Sequence, residues 1–167
     1  MSRGFIKEGD QEEVPMVPKR AFLPEGVTNF VTRNGMEQLL AEKEALILER
    51  EELNIANENE RRIAVNYVNA KLQLLNNRIA EARVVDPKDQ PQDEITFGAI
   101  VTLKNIASGK IQNFQIVGVD EADIARGKVS FISPLARALI NKKSGERIPL
   151  KREKDEIVYE VLKINYL

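Results

Sequence analysis

Apolar residues follow two different rhythms along the chain, and the change of rhythm divides it. Val65, Val68, Leu72, Leu75, Ile79 and Ala82 recur at alternating spacings of three and four, the seam of a coiled-coil helix. Met36, Leu39, Leu46 and Leu53 hold the same frame one arm earlier, with Lys43 and Arg50 in the remaining seam slots and Leu40 and Ile47 widening the stripe. Residues 34–83 contain no proline and only Gly35 as glycine, so helix propensity is high throughout. Two helices that fold back antiparallel layer residues whose numbers share a constant sum. Met36 with Ala82, Leu39 with Ile79, Leu46 with Leu72 and Leu53 with Val65 all share one sum, which puts the fold point near Asn59. The residues around it, Asn57-Glu58-Asn59-Glu60, are polar and compatible with a turn.

Beyond Pro87 and Pro91 the period shortens to two. Residues 95–103 and 111–119 predict strands joined near Ser108-Gly109, residues 128–132 a third, and residues 148–150 and 157–166 closing strands, the last alternating through Val158, Glu160, Leu162 and Ile164. Ser133-Pro134 opens a short helix to about Asn141, because serine caps free amides and proline suits the first helical position. Ahead of both rhythms, Pro15, Pro18 and Pro24 favour extended chain, with Phe5, Val14, Met16, Val17, Phe22 and Leu23 as apolar points. The expectation is an α+β protein: an extended N-terminal tail over residues 1–33, an antiparallel helical hairpin over 34–85, a linker over 86–93 and an antiparallel-sheet module with one short helix over 94–167.

Charge supports the pairing of the arms. Residues 34–60 hold eight glutamates against Lys43 and Arg50, whereas residues 61–85 hold Arg61, Arg62, Lys71, Arg78 and Arg83 against Glu81, so one arm is acidic and the other basic. Over the whole chain 25 basic and 26 acidic residues nearly cancel, which argues against a surface wholly given to nucleic acid or membrane. A local basic face remains in Lys142, Lys143, Arg147, Lys151, Arg152 and Lys154; it suits an acidic partner or nucleic acid, or is simply a solvated surface. The absence of cysteine and histidine removes disulfides, thiol nucleophiles, Cys/His zinc sites and histidine acid–base chemistry. No stretch is long and apolar enough to span a membrane, so a cytoplasmic protein is expected, without a cofactor and not itself an enzyme. Asp120-Glu121-Ala122-Asp123 has no phosphate loop to serve and reads as a loop after a strand. Glu58 and Glu60 are the candidate metal-assisting carboxylates, with a solvated turn as the plainer reading.

The C-terminal motifs are specific in combination: Phe97-Gly98-Ala99-Ile100-Val101, then Ile116-Val117-Gly118-Val119-Asp120-Glu121-Ala122-Asp123, then Ser133-Pro134-Leu135-Ala136-Arg137-Ala138-Leu139-Ile140-Asn141. Together with the hairpin and the helix start at Thr32 to Leu39, they resemble the Gre-factor family of bacterial transcription elongation factors over roughly residues 31–167. The resemblance implies an FKBP-like C-terminal module without isomerase activity, docked at the rim of the RNA polymerase secondary channel, with the hairpin passed inward. Nucleic acid would then be met only through the transcription complex, and no membrane contact is implied. Carried over residue by residue, it assigns rim docking to Ser133, Pro134 and Leu135, while the fold point near Asn59 places the hairpin tip at Glu58, Asn59 and Glu60. A capped helix start needed only for folding is the plainer reading of Ser133-Pro134.

The tip departs from the family's Asp-x-x-Glu-Asn-x-x-Tyr pattern, by which two acids help hold a catalytic metal for cleavage of backtracked RNA. Ile132 also stands where the family has Asn or Asp. The hairpin is shorter than the family's by about one heptad per arm, or ~10 Å at ~1.5 Å per residue, against a metal–oxygen bond of ~2 Å. In this the chain is similar to the short-armed Rnk-type regulators, which bind polymerase without stimulating cleavage. A regulator without strong cleavage stimulation is therefore expected. A cleavage-stimulating factor using Glu58 and Glu60, and a module that binds some other partner, stay open as alternatives.

Overall fold

In the computed structural model, which describes residues 14–167, both long helices begin where a side chain takes over the free amides of a first turn. Thr32 caps α1 (Arg33–Glu51) by accepting from the Gly35 amide, and Asn57 caps α2 (Glu58–Glu81) by accepting from the Asn59 and Glu60 amides. The seam closes as the spacing predicts except in the layer nearest the turn, where Leu53 lies beyond the end of α1 and neither it nor Val65 joins the hairpin core. Leu39, Leu46, Val68, Leu72 and Leu75 are buried together with Val31, flanked by Met36, Ile47, Ile79 and Ala82. Arg50 donates to Asn69 Oδ1 across the hairpin at 2.7 Å, a pair within one residue of the expected constant sum.

The turn lies earlier than expected. Residues 52–57 are non-helical, and Glu58, Asn59 and Glu60 form the first turn of α2 instead of the loop. The cause is the Asn57 side chain, which supplies two acceptor contacts to amides that would otherwise be open. In this register α2 extends about two turns past the end of α1. The returning segment leaves Leu53 and Ile55 half-buried and Asn54 exposed between them, the alternation of extended chain.

The expected tail over residues 1–33 is also corrected at its end. Residues 1–13, with Phe5, lie outside the described residues, but Asn29–Val31 is a strand, β1, paired in parallel with β2 (Ala82–Val84) directly after α2. Three residues are too few for periodicity to reveal. The two neighbours on β1 face opposite ways: Val31 enters the hairpin core, while Phe30 packs against the core of the module. Phe30, Phe97 and Phe131 form a triangle with ring centroids 5.6 to 5.8 Å apart.

A single 3₁₀ turn, Pro87–Asp89, capped by Asp86, leads into the module. Its five strands are β3 (Ile100–Asn105), β4 (Ile111–Val117), β5 (Lys128–Ser130), β6 (Arg147–Lys151) and β7 (Glu156–Asn165), in spatial order β5-β4-β3-β7-β6. The sheet is antiparallel except at one edge, where β5 runs parallel to β4 after a loop and a 3₁₀ turn at Ile124–Arg126 carry the chain back. α3 (Pro134–Leu139) lies between β5 and β6 in sequence and buries Ala136 and Leu139 in the same core as Ile95, Val101, Leu103, Ile116 and Val161. The first predicted strand starts late because Gly98, at φ 89°, turns the chain before Ile100. On β7 the register shifts opposite Thr102 and Leu103, which pair with Lys163 and Val161. Leu162 is the extra residue of this bulge, so Val161, and not Leu162, is the buried residue.

Hairpin and module meet where β1 crosses the end of β4. A Cβ on Gly118 would lie 2.6 Å from the Phe30 carbonyl oxygen, so this close approach tolerates no side chain.

Two outcomes test these packings. Leu72 is 6% exposed inside the hairpin core, and Leu72→Asp should cost more than about 3 kcal/mol there. Helical circular dichroism should fall while the module, with its separate core, stays folded; an unchanged melt would refute the seam register. Gly118→Ala should cost about 1–3 kcal/mol, because backbone must move to admit the methyl group. A denaturation midpoint equal to that of the unaltered protein would contradict the contact between β1 and β4.

Candidate functional site

The sequence-assigned residues fall in two separate places. Ser133 is the N-cap of α3: its hydroxyl accepts from the Ala136 amide at 3.2 Å, its carbonyl accepts from the Arg137 amide, and Pro134 fills the first helical position. Pro134 is exposed, and so is Arg137 one turn on, whereas Leu135 is half-buried against the module core. The outward surface at this corner is thus Pro134 with Arg137, and Leu135 is partly committed to folding.

Glu58, Asn59 and Glu60 lie at the far end of α2, about 30 Å of helix from Arg78 near its base. All three are exposed, and Asn59 Oδ1 accepts from Arg62 at 2.7 Å. Two residues apart on an α-helix is about 200° of rotation, so Glu58 and Glu60 project to opposite sides of α2. They are the two acids of its first turn, where negative charge offsets the positive end of the helix dipole. Among the described residues no group of three or more Asp and Glu side chains is placed to hold a metal ion.

The basic face is partly neutralised. Lys143 lies 3.7 Å from Asp93, and its backbone amide donates to Glu146, while Arg152 pairs with Asp155 at 3.3 Å. No helix among the described residues is long and apolar enough to cross a membrane.

What sequence reasoning missed is the junction between hairpin and module. Glu121, 7% exposed, accepts from the Thr32 hydroxyl, from Asn34 Nδ2 at 2.9 Å and from Lys128 Nζ at 3.2 Å. α1 has no acid in its own first turn, so the module supplies the carboxylate that its N-terminus favours. Asp120, the neighbouring residue, turns the other way: Arg78 Nε lies 3.2 Å from its Oδ2, and Arg20 Nε donates to its Oδ1 at 3.2 Å. Arg20 also grips Glu42 of α1 through two bonds of 2.8 and 3.0 Å. Its pKa is raised, first by the hydrogen bond to Glu42 and then, against the lowering by burial, by the charges of Asp120 and Glu42. The available signal was two adjacent acids at a strand end followed by a lysine, which composition alone does not distinguish from a solvated loop.

The sequence is similar to those of known transcription elongation factors. The family model for the C-terminal part of transcription elongation factors GreA and GreB matches residues 90–166. GreA of a Nitratiruptor species is 35% identical over 152 residues, covering 81% of this chain and 92% of the relative. GreA of Alkalilimnicola ehrlichii is 39% identical over 102 residues, covering 60% of this chain and 65% of that protein, so less than two thirds of its length is matched. Among solved structures, GreA factor homolog 1 of Thermus thermophilus shares 19% identity at a TM-score of 0.40, covering 83% of this chain and 99% of that one. A GreA/GreB factor from Nitrosomonas europaea shares 18% at 0.42, covering 82% and 98%. With a relative matched over 92% of its length and the C-terminal model matched in addition, the chain belongs to the GreA/GreB family of transcription elongation factors.

Proposed function

We propose that this chain binds RNA polymerase at the rim of the secondary channel through the start of α3, directs its hairpin inward, and regulates elongation without promoting transcript cleavage. On this reading it is an accessory to polymerase and not an enzyme. Family membership supports the partner. The observation that carries the regulatory role is the placement of Glu58 and Glu60 on opposite sides of α2, because a metal ion needs oxygens converging within ~2.5 Å of one point. Arm length supports it as well. The alignment with the Nitratiruptor relative runs over 152 residues while taking in 81% of this chain, so part of that protein has no counterpart here, in keeping with shorter arms. Ser133 and Leu135 shape the docking corner, and Pro134 offers its exposed surface.

The docking assignment is tested by Pro134→Glu. An acid at the first helical position suits the helix dipole, so the module should keep its melting temperature. Affinity for purified polymerase should fall about tenfold or more, since a charge is forced into a desolvated contact. Wild-type affinity in the folded variant would remove Ser133, Pro134 and Leu135 from the interface, and no binding by the unaltered protein would favour a different partner.

Chemistry at the tip is tested on stalled, backtracked elongation complexes. The unaltered protein should bind them and leave the hydrolysis rate of the RNA unchanged, and the double variant Glu58→Gln, Glu60→Gln should behave identically. Acceleration by the unaltered protein that disappears in the double variant would establish the cleavage-stimulating reading in its place.

A further inference from the structure

The N-terminal segment precedes all the residues that resemble the family, yet part of it is held firmly to the body. Residues 14–28 contain no helix or strand, Val14, Met16 and Phe22 are 87%, 95% and 76% exposed, and Val17 and Leu23 are only half-buried, so apolar burial accounts for little of its position. Polar contacts do. The Arg20 side chain is 18% exposed and spans from Glu42 on α1 to Asp120 in the loop after β4. Arg78 of α2, 12% exposed and paired with Asp120, donates to the Ala21 carbonyl, while the Arg78 carbonyl accepts from Asn29 Nδ2 at 3.2 Å. Shallow grooves of about 360 and 290 Å³ flank the segment, the first beside Leu46 and Lys71 and the second beside Leu23 and Asn77.

The Arg20 guanidinium therefore binds the hairpin and the module at once. A planar cation with five donors is suited to two carboxylates on different elements, whereas a lysine ammonium serves them as a point charge. Without such a clip, two units joined by β1, the α2–β2 connection and a polar junction are expected to move relative to each other.

We propose that Arg20 is a positioning residue: it straps the N-terminal segment across the base of the hairpin and fixes the angle between hairpin and module. The strap's use rests on the polymerase-binding reading, since a hairpin directed into a channel must leave the module at one angle. The strap itself does not depend on polymerase and is measured without it.

The protein has no cysteine, so Arg61→Cys on α2 and Lys151→Cys on β6, both exposed, introduce two unique sites for spin labels. Distances between them, read by double electron–electron resonance in the full chain, should form one narrow distribution. Adding Arg20→Ala should widen it by about twofold or more, as expected when interdomain motion is released. Helical circular dichroism should stay unchanged, and Arg20→Lys should restore part of the narrowing. An unchanged distribution in Arg20→Ala would overturn the proposal. So would a broadening seen on deletion of residues 1–23 but not in Arg20→Ala, since the strap would then hold by other contacts. In a binding assay Arg20→Ala should weaken polymerase affinity about tenfold if the competent angle is populated about a tenth of the time. Broadened distances with full affinity would refute the positioning role, whereas absence of binding by the unaltered protein would refute the polymerase reading and leave the strap standing.

Discussion

The opposed directions of Phe30 and Val31 on one short strand hold this molecule together. Alternation along extended chain sends one side chain into each core, so the three residues of β1 couple two units that otherwise have separate hydrophobic clusters. The parallel pairing of β1 with β2 then requires the intervening chain to leave and return to the same base. The hairpin is the solution to that requirement. Because both its ends are fixed there, its arms are free to change length only together, and only by steps that keep the seam facing itself, which for a coiled coil means whole heptads.

A second coupling runs through two adjacent carboxylates. Glu121 reaches the start of α1, and Asp120 reaches Arg78 and Arg20. Each is largely buried at its side chain, 3% for Glu121 and 11% for Asp120, and a buried charge is tolerable only when paired; Asp120 Oδ2 has the Arg78 charge beside it but no hydrogen bond. Their partners lie on both helices and on the N-terminal segment, so a displacement of the hairpin leaves carboxylates unpaired. That penalty is directional. Apolar contact permits sliding at small cost, whereas hydrogen bonds to a charge weaken steeply once the donor is misaligned.

The repeating features were legible in the sequence. The seam repeats six times in the second arm, and Ser133-Pro134 states a helix start through two independent preferences. Hidden features were those decided by single residues or distant partners. Composition does not choose between Asn57 and Asn59 as the cap, because both are asparagines beside a glutamate, and the choice moves the start of α2 by two residues. β1 was unreadable because its partner lies fifty residues on, brought near only by the folded hairpin. Arg20 and Asp120 are a hundred positions apart, and neither has a local pattern that names the other. The bulge at Leu162 inverts the inward face of β7 part-way along, which simple alternation does not anticipate.

The same logic bears on the tip. The first turn of a helix places its acids by the needs of the helix: Glu58 and Glu60 flank Asn59 and answer the exposed amides and the positive dipole end. Converging carboxylates need spacings of three or four along a helix, or a loop that turns both inward. This tip has neither, since residues 52–57 supply no acid beyond Glu52, at the end where the loop leaves α1. The hairpin ends in a charged, capped turn that lacks the convergence metal chemistry requires. On the reading proposed here its effect on polymerase arises from occupancy, and occupancy depends on the angle at which the hairpin leaves its base. On the same reading that angle is set by β1, Asp120, Glu121 and Arg20, and the residues that govern function lie at the end of the hairpin opposite its tip.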